Sequence, residues 1–415
     1  MKVLSLFTGA GGLDLGLERA GFEIVGCVEA NRDCQETLRR NRPEWKLLEP
    51  GDIHAHRPGD ILAAFGLKKR GPTLLAGGPP CQPFSKSGQW KYGRARRMSD
   101  PRAATLRAYL DVLEAALPEA MLLENVRGIA ATRQRVTHKY EALDVLRASL
   151  RRINRRHGTA YEPFALVIDA AAYGVPQRRE RVFVYAARDA SVMNAPLATH
   201  GEAASQGGLF RFANTWDALA EYDDPEFDPS LLPGGVWGDL LPSIPEGANY
   251  SHHTPRGGGE PLFGWRTKYW SFLLKLARNR PSWTIQAQAG PATGPFHWRS
   301  RRLMTRELAA LQCFPDDWEI HGSTTSARRQ LGNAVPPPIG ELLGLEILRQ
   351  LLGETPPHPV SSLTPTLRDD CTDPEHVAEV PAKYLYLRGD HPCHPGPGLG
   401  PGALKRLEEQ LEQAA

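Results

Sequence analysis

The sequence predicts an α/β fold: an open, mostly parallel, doubly wound sheet of Rossmann-like type, with a second, smaller, loop-rich domain attached. Two observations carry that prediction. Through the first 190 residues, short and nearly continuous apolar runs alternate with longer stretches whose apolar residues recur at helical spacing, as buried strands joined by crossover helices do. Near Ala190 the texture changes to Gly, Pro and acidic residues with little periodicity.

The expected strands are Val3–Phe7, Ile24–Val28, Thr73–Ala76, Met121–Leu123, Ala165–Ile168 and Val182–Ala186. Each is short and almost wholly apolar, as a parallel strand covered on both faces must be. The expected helices between them are Leu13–Ala20, Asp33–Arg40, Thr105–Leu117 and Tyr140–Ile153. Residues 200–262 form the loop-rich unit, and helical spacing returns at Tyr269–Ala277, Thr305–Gln312 and Ile339–Leu352. Thr305-Arg-Glu307 reads as a capping pattern at the start of its helix. From Glu354-Thr-Pro-Pro-His-Pro onward, and again at His394-Pro-Gly-Pro-Gly-Leu-Gly-Pro-Gly, the composition is that of a linker or tail, with a short charged helix expected at Leu404–Gln413.

The 415-residue chain is 41% hydrophobic and 23% charged, an ordinary globular mixture. Lys+Arg 50 against Asp+Glu 47 leaves a formal charge of +3, which excludes a histone-like polycation; a nucleic-acid partner would need a local basic face. Of the basic residues 39 are Arg, suited to bidentate phosphate and guanine contacts, although a GC-rich genome gives the same bias. No apolar run reaches the roughly 18 residues of a membrane span, and Met1–Phe7 is too short for a signal-peptide core. Six cysteines in so long a chain are no disulfide framework, so a reducing cytoplasmic compartment is expected.

Chemistry concentrates at the expected strand ends. Phe7-Thr-Gly-Ala-Gly-Gly12 leaves one strand and enters a helix, where glycine permits a tight turn and close approach to a ligand; a purely structural turn would use the same residues. Glu29 ends the next strand, placed to accept from ribose hydroxyls, and Asp52 in Gly51-Asp-Ile could do the same for an adenine amine. Without a Walker-type lysine, a nucleoside ligand lacking phosphates fits. Ala76-Gly-Gly-Pro-Pro-Cys81-Gln-Pro-Phe-Ser85 sets one cysteine in a rigid loop, which suits either a positioned thiolate nucleophile or a structural turn. Leu122-Leu-Glu124-Asn-Val ends another strand with a carboxyl group, and Gln177-Arg-Arg179-Glu-Arg181 leads arginines into a further one. Because parallel strands end at one crevice, Cys81 and Glu124 should share the cleft with the nucleoside. Taken singly, Glu124 could be a helix-capping acid and the arginines a solvated face.

Together these residues resemble the C5-cytosine DNA methyltransferases. The matching pieces are Phe7–Gly16, Glu29, Asp52, Gly77–Ser85, Glu124-Asn-Val126, Gln177–Arg181, Arg302–Pro315 and Gln330–Pro337, over about residues 1–190 and 280–350. The resemblance implies a class I methyltransferase fold, S-adenosylmethionine as methyl donor with S-adenosylhomocysteine as product, and cytosine carbon 5 as acceptor. It implies that the Cys81 thiolate adds at carbon 6, that Glu124 hydrogen-bonds N3 and the exocyclic amine, and that Arg181 contacts O2 with Arg179 fixing the active-site loop. Carbon 5 then takes the methyl group, an unidentified base removes its proton, and Cys81 leaves by β-elimination. The cofactor contacts it implies are Phe7, Gly9, Gly11, Gly12, Leu13, Glu29, Asp52, Pro80 and Asn333. Since Asn333 is distant in sequence, a catalytic domain of residues 1–195 plus 328–353 is expected, interrupted by a target-recognition domain at 196–327 and followed by an extension at 354–415.

The target ring is inaccessible in a duplex, so the base must be flipped out. Lys86, Lys91, Arg94, Arg96, Arg97, Arg102 and Arg107 are opposed only by Asp100 and are expected to clamp DNA, with Ser85 and Ser87 reaching phosphates. In the middle region Trp265, Arg266, Lys268, Tyr269 and Trp270, with Trp283 and Gly294–Arg302, mix basic and aromatic character suited to reading bases or to filling a vacated stack; core packing is the equal alternative for each aromatic. The acidic run Asp217–Asp228 should point away from DNA. In the tail Cys371, His376, His391, Cys393 and His394 fit no standard zinc spacing, so no metal is expected. The whole reads as a bacterial, nucleoid-associated, monomeric modification or defence methylase acting on double-stranded DNA, with a cognate restriction or defence complex as partner. The alternatives are a tRNA cytosine-5 methyltransferase with the same core and a catalytically silent DNA-binding regulator.

Overall fold

A computed structural model of the protein describes residues 1–80, 104–125, 141–202, 209–265, 269–359, 367–389 and 391. The strands are β1 (Lys2–Leu6), β2 (Glu23–Val28), β3 (Leu74–Gly77), β4 (Ala120–Asn125), β5 (Phe164–Asp169), β6 (Gln177–Arg178), β7 (Glu180–Ala187), β8 (His200–Gly201), β9 (Phe210–Arg211) and β10 (Ser282–Trp283). Six form the main sheet in the order β2-β1-β3-β4-β7-β5. The pairs β1/β2, β1/β3 and β3/β4 are parallel, whereas β7 runs antiparallel to both β4 and β5.

Val182–Ala186, expected as a parallel strand, is therefore the one reversed strand. The reason lies in its link to β5. Only Ala170–Arg179 intervene, beginning with a 3-10 turn at Ala170–Tyr173 closed by Gly174 at φ 88°, and a parallel return needs a crossover of about a dozen residues or more. Ala165–Ile168 is not buried on both faces either. It lies in the sheet's edge strand, with Val167 54% exposed.

The helices are α1 (Gly12–Arg19), α2 (Arg32–Asn41), α3 (Pro58–Ala64), α4 (Ala104–Ala116), α5 (Glu141–His157), α6 (Thr215–Leu219), α7 (Thr305–Ala310), α8 (Thr324–Asn333) and α9 (Pro337–Glu346). Alternation along each strand sends Leu4, Leu6 and Leu75 into one core with α3, α4 and α5. Val3, Ile24, Ala76 and Leu122 enter the other, with α1 and α9.

Helix α1 packs on the C-terminal segment through glycine. A Cβ on Gly12 would lie 2.2 Å from the Val335 carbonyl oxygen, and one on Gly16 would lie 2.3 Å from that of Pro337. Gly340 answers from α9, where a Cβ would meet Leu13 O at 2.5 Å. The two backbones thus touch with no side chain between them, and both ends of the chain build one layer of the domain.

The middle region has a third core of Leu240, Leu241, Ile244, Tyr250, Leu262, Leu273 and Phe296. Tyr269–Ala277 is not the helix that its apolar spacing predicts. Its amides go elsewhere, Leu273 to Ala292 O, Lys275 to Ala248 O and Leu276 to Phe296 O, all at 2.8–2.9 Å, and Leu273 takes φ 53°. Tertiary pairing has overridden local pattern there. The cap of α7 also sits one residue earlier than the Thr305 reading. Met304 is the N-cap, its N–H donating to Glu307 Oε2 at 2.8 Å, and Thr305 is inside the helix.

Residues 367–389 of the extension seat on this region. The Arg368 amide donates to Asp217 Oδ1 at 2.6 Å, Trp216 Nε1 donates to Asp370 Oδ1 at 3.0 Å, and Ala378 N donates to Pro242 O at 3.1 Å. Tyr384 stacks on Trp237 with ring centroids 5.8 Å apart and joins the third core. The helix expected at Leu404–Gln413 lies outside the described residues. No described helix is long and apolar enough to cross a membrane.

Candidate active site

The carboxyl ends of β1, β2, β3 and β4 meet at one edge, and because β7 is reversed its N-terminal end joins them there. Three sequence segments converge at that edge. Arg181 Nε lies 3.0 Å from Glu124 Oε1, with both side chains largely shielded from solvent. Gly78 comes up beside them, a Cβ there falling 3.1 Å from Glu124 Oε2, and Asn125 Nδ2 donates to Pro79 O at 3.3 Å. Pro80 follows and is exposed; Cys81 is the next residue and lies outside the described ones. Burial pushes the Glu124 carboxyl above the usual range, and the charges of Arg181 and Arg179 oppose that push.

Arg179 is 1% exposed. Its Nη2 donates to Gly332 O at 2.9 Å and its amide to Asp169 Oδ1 at 2.9 Å, but Nε and Nη1 have no acceptor among the described residues. Two buried guanidinium donors without an acceptor among the described residues call for a partner, because an unmet buried donor costs about 1–3 kcal/mol.

On the other side of the edge lies the glycine loop. Phe7 holds a left-handed φ of 58°, fixed by its amide donating to Val28 O at 2.7 Å. Gly11 at φ 80° is the N-cap of α1. Glu29 grips the loop from β2, one oxygen accepting from Gly9 N and the other from Asn31 N, each at 2.7 Å. Each carboxylate oxygen can still accept another hydrogen bond. Burial raises the Glu29 pKa, opposed by these backbone donors. A Cβ on Gly9 would meet nothing within 4 Å, so the loop faces open space there. Asp52 is exposed, caps the short turn after it and accepts from His54 N at 3.0 Å. An open glycine cradle flanked by two carboxylates fits the adenosine part of S-adenosylmethionine.

Other expected cofactor residues are placed differently. Leu13 sends its side chain into the core at 7% exposure. Gly11 and Gly12 have their Cβ positions against Leu38 and Val335, so packing alone already requires glycine there. Asn333 is exposed at the end of α8, beside the Gly332 carbonyl that Arg179 holds. Sequence reading missed Asp14, which is 1% exposed beneath the loop; burial pushes its pKa up to about 7. Its position on the first turn of α1, amid apolar neighbours, was the available signal.

Of the expected DNA contacts, Ser85, Lys86, Ser87, Lys91, Arg94, Arg96, Arg97 and Arg102, with Arg266 and Lys268, lie outside the described residues. Arg107 is exposed on α4. The Gly294–Arg302 stretch is mainly interior rather than a DNA face: Phe296, His297, Trp298 and Arg301 are buried, Arg301 forming two hydrogen bonds of 2.8 and 2.6 Å with Glu307. Trp265 is half-buried under Arg256, while Tyr269, Trp270 and Trp283 are exposed. The acidic run turns onto the protein's own cations, Asp217 to Arg211 at 2.7 Å and Asp223 to Arg299 at 2.5 Å. Among the described residues no group of three or more His, Cys, Asp or Glu could hold a metal; Cys393 and His394 are outside them.

Sheet, loop and acid–arginine pair together define an α/β enzyme of the doubly wound class. The same fold is found in the Entamoeba histolytica methyltransferase EhMeth (TM-score 0.55, 16% identity, 85% of this chain and 98% of that one). It is found also in the S. pombe Dnmt2 methyltransferase (TM-score 0.53, 18% identity, 84% and 98%). The profile of the C-5 cytosine-specific DNA methylases matches residues 1–233 and 238–349, and the chain belongs to that family. It is 37% identical to Type II methyltransferase M.SacI of Streptomyces achromogenes, over 85% of this chain and 93% of the relative. To Type II methyltransferase M.NgoFVII of Neisseria gonorrhoeae it is 33% identical, over 81% and 83%. The protein is thus a DNA (cytosine-5) methyltransferase, and its family uses S-adenosylmethionine.

Proposed function

We propose that the enzyme is a bacterial modification methylase of a restriction system, acting through a covalent Cys81 adduct on a flipped cytosine in duplex DNA. The observation that carries this reading is the Glu124–Arg181 contact of 3.0 Å beside Gly78, since it gathers three distant segments around the residue preceding Cys81 by three places. The Cys81 thiolate adds to carbon 6, which makes carbon 5 enamine-like. Glu124, whose burial favours the protonated carboxyl, donates to N3 and accepts from the exocyclic amine as charge builds on the ring. Arg181 orients Glu124 and contacts O2, and Arg179, whose Nε and Nη1 have no acceptor among the described residues, holds the active-site loop.

Phe7, Gly9, Glu29, Asp52, Pro80 and Asn333 line the cofactor crevice, with Gly11, Gly12 and Leu13 shaping its loop. S-adenosylmethionine supplies an electrophilic methyl group to carbon 5 when bound there. A base, such as a water, takes the carbon-5 proton, the C–H electron pair forms the C5=C6 bond, and the C6–S pair leaves with the Cys81 thiolate. Ser85, Ser87, Arg94, Arg96 and Arg97 contact the DNA backbone, and residues 196–327 form the recognition region. The Type II methyltransferase names of the relatives support the restriction-system role.

Bisulfite sequencing of DNA from cells expressing the protein should report a methyl mark in one sequence context, and Cys81→Ala should abolish it while keeping cofactor binding. Methyl transfer is to be compared on duplex DNA and on tRNA; label on tRNA alone would overturn the DNA reading.

A further inference from the structure

Trp283 and Trp270 stand out among the described tryptophans. Trp45, Trp216, Trp298 and Trp318 are at most 7% exposed, whereas Trp283 is 44% and Trp270 50% exposed. The two touch each other edge to face, ring centroids 5.6 Å apart. Exposing two indoles in one place is costly for a surface that only meets water.

Their place in the fold gives them an occupant. Strand β7 begins at the sheet edge where β4 ends in Glu124 and Asn125. Strand β6 lies just upstream of it, beyond that edge, and β10 pairs with β6 so that Trp283 stands opposite Arg178. From Arg178 to Arg181 is three residues, about 10 Å of extended chain. Trp283 is thus paired to a residue three positions before the arginine that contacts Glu124, which puts the aromatic pair on the chain segment leading into the active site.

The platform is also rigid. Thr284 Oγ1 donates to Arg178 O at 2.6 Å, Ser282 N donates to Pro176 O at 2.9 Å, and Asn249 Nδ2 holds Trp270 O at 2.6 Å. Exposed Arg280 stands two residues before β10 and adds positive charge on that side. Flipping a base out of a duplex leaves its neighbours unstacked. A fixed indole accepts any base face and replaces that stacking without reading sequence.

We infer that the Trp270–Trp283 pair is a base-stacking platform that engages the DNA beside the extruded cytosine. The inference rests on the reading of the Cys81–Glu124 site given above. Its test uses the full-length enzyme and a short duplex carrying the site mapped by bisulfite sequencing. Adding that duplex should quench tryptophan fluorescence in the wild type, and Trp283→Phe or Trp270→Phe should remove much of the quenched fraction. Trp283→Ala should raise the KM for DNA about 5- to 150-fold, the range expected for one lost base–aromatic stack, with the KM for cofactor unchanged. Trp283→Tyr should restore most of the loss. Equal quenching in wild type and both Phe variants, or a Trp283→Ala enzyme with lowered Tm and an unaltered KM for DNA, would overturn the platform. Loss of quenching on duplex with methylation intact would do the same. An enzyme that quenches as expected but methylates without Cys81 would instead overturn the catalytic reading and leave the platform standing.

Discussion

Asp14 is the group whose replacement should be most informative about the glycine loop. It is shut in beneath that loop, hydrogen-bonded to the Ser5 side chain, with Oδ1 unpartnered among the described residues. Burial raises its pKa from 3.8 to about 7. An acid with a raised folded-state pKa favours folding at low pH, and that contribution is lost as pH rises through the folded value. In the unfolded chain Asp14 gives up its proton near pH 4, while the native protein keeps it to about pH 7. Stability should thus decline from pH 4 to 7 and level off above. The linkage sum at pH 8 is on the order of 4 kcal/mol, shrinking to well under half of that at pH 5. Asp14→Asn is nearly isosteric and cannot ionise, so it should recover most of that at pH 8. With an unfolding entropy of about 2 cal/mol/K per residue over some 350 residues, this is roughly 5 °C in Tm at pH 8 and about 2 °C at pH 5. Thermal unfolding of both proteins at the two pH values is the assay. An Asn variant that gains equally at both pH values, or is less stable at pH 8, would refute the reasoning.

Other consequences can be checked with standard assays. Glu124→Gln should lower kcat about 100- to 10,000-fold while the protein unfolds at nearly the wild-type temperature, because the amide keeps the shape but not the proton. Gly16→Ala puts a methyl group where Pro337 O lies 2.3 Å away, so the α1–α9 contact must open and Tm should fall by several degrees, with cofactor affinity falling alongside. A chain ending at Gly353 loses Tyr384 from the third core, where it is 3% exposed; about 3–5 kcal/mol of local stability should go with it, read as faster proteolysis between residues 229 and 262.

The catalytic layer was the most legible part of the sequence. Continuous apolar runs at Val3–Phe7 and Met121–Leu123 mark covered strands, and Gly-rich or Pro-rich loops follow them where a sheet presents its ligands. Strand direction was not legible, because a central antiparallel strand such as β7 is buried on both faces and reads like a parallel one. Helix α8 carries Thr324-Thr-Ser-Ala-Arg-Arg-Gln and shows no apolar stripe. Its buried Gln330 and Ser326 bond to the side chains of Thr37 and Asp33, a polar seam that periodicity cannot detect. The extension was read as a tail because prolines and charges dominate it. Its order comes from scattered contacts with partners more than 70 residues away, among them Asp370 to Trp216, Glu375 to Arg299 and Tyr384 on Trp237.

The glycine-lined seam between α1 and α9 bears on when this enzyme comes into being. A ribosome delivers α1 first and α9 more than 300 residues later, at about 5–20 residues per second. For those tens of seconds the first helix has no cover on its outer stripe, and the loop it anchors has no fixed backing. A nascent chain, or one ending before α9, therefore lacks the backbone that packs against Gly12 and Gly16, and the glycine loop gains its backing only once residues 335–346 have been made.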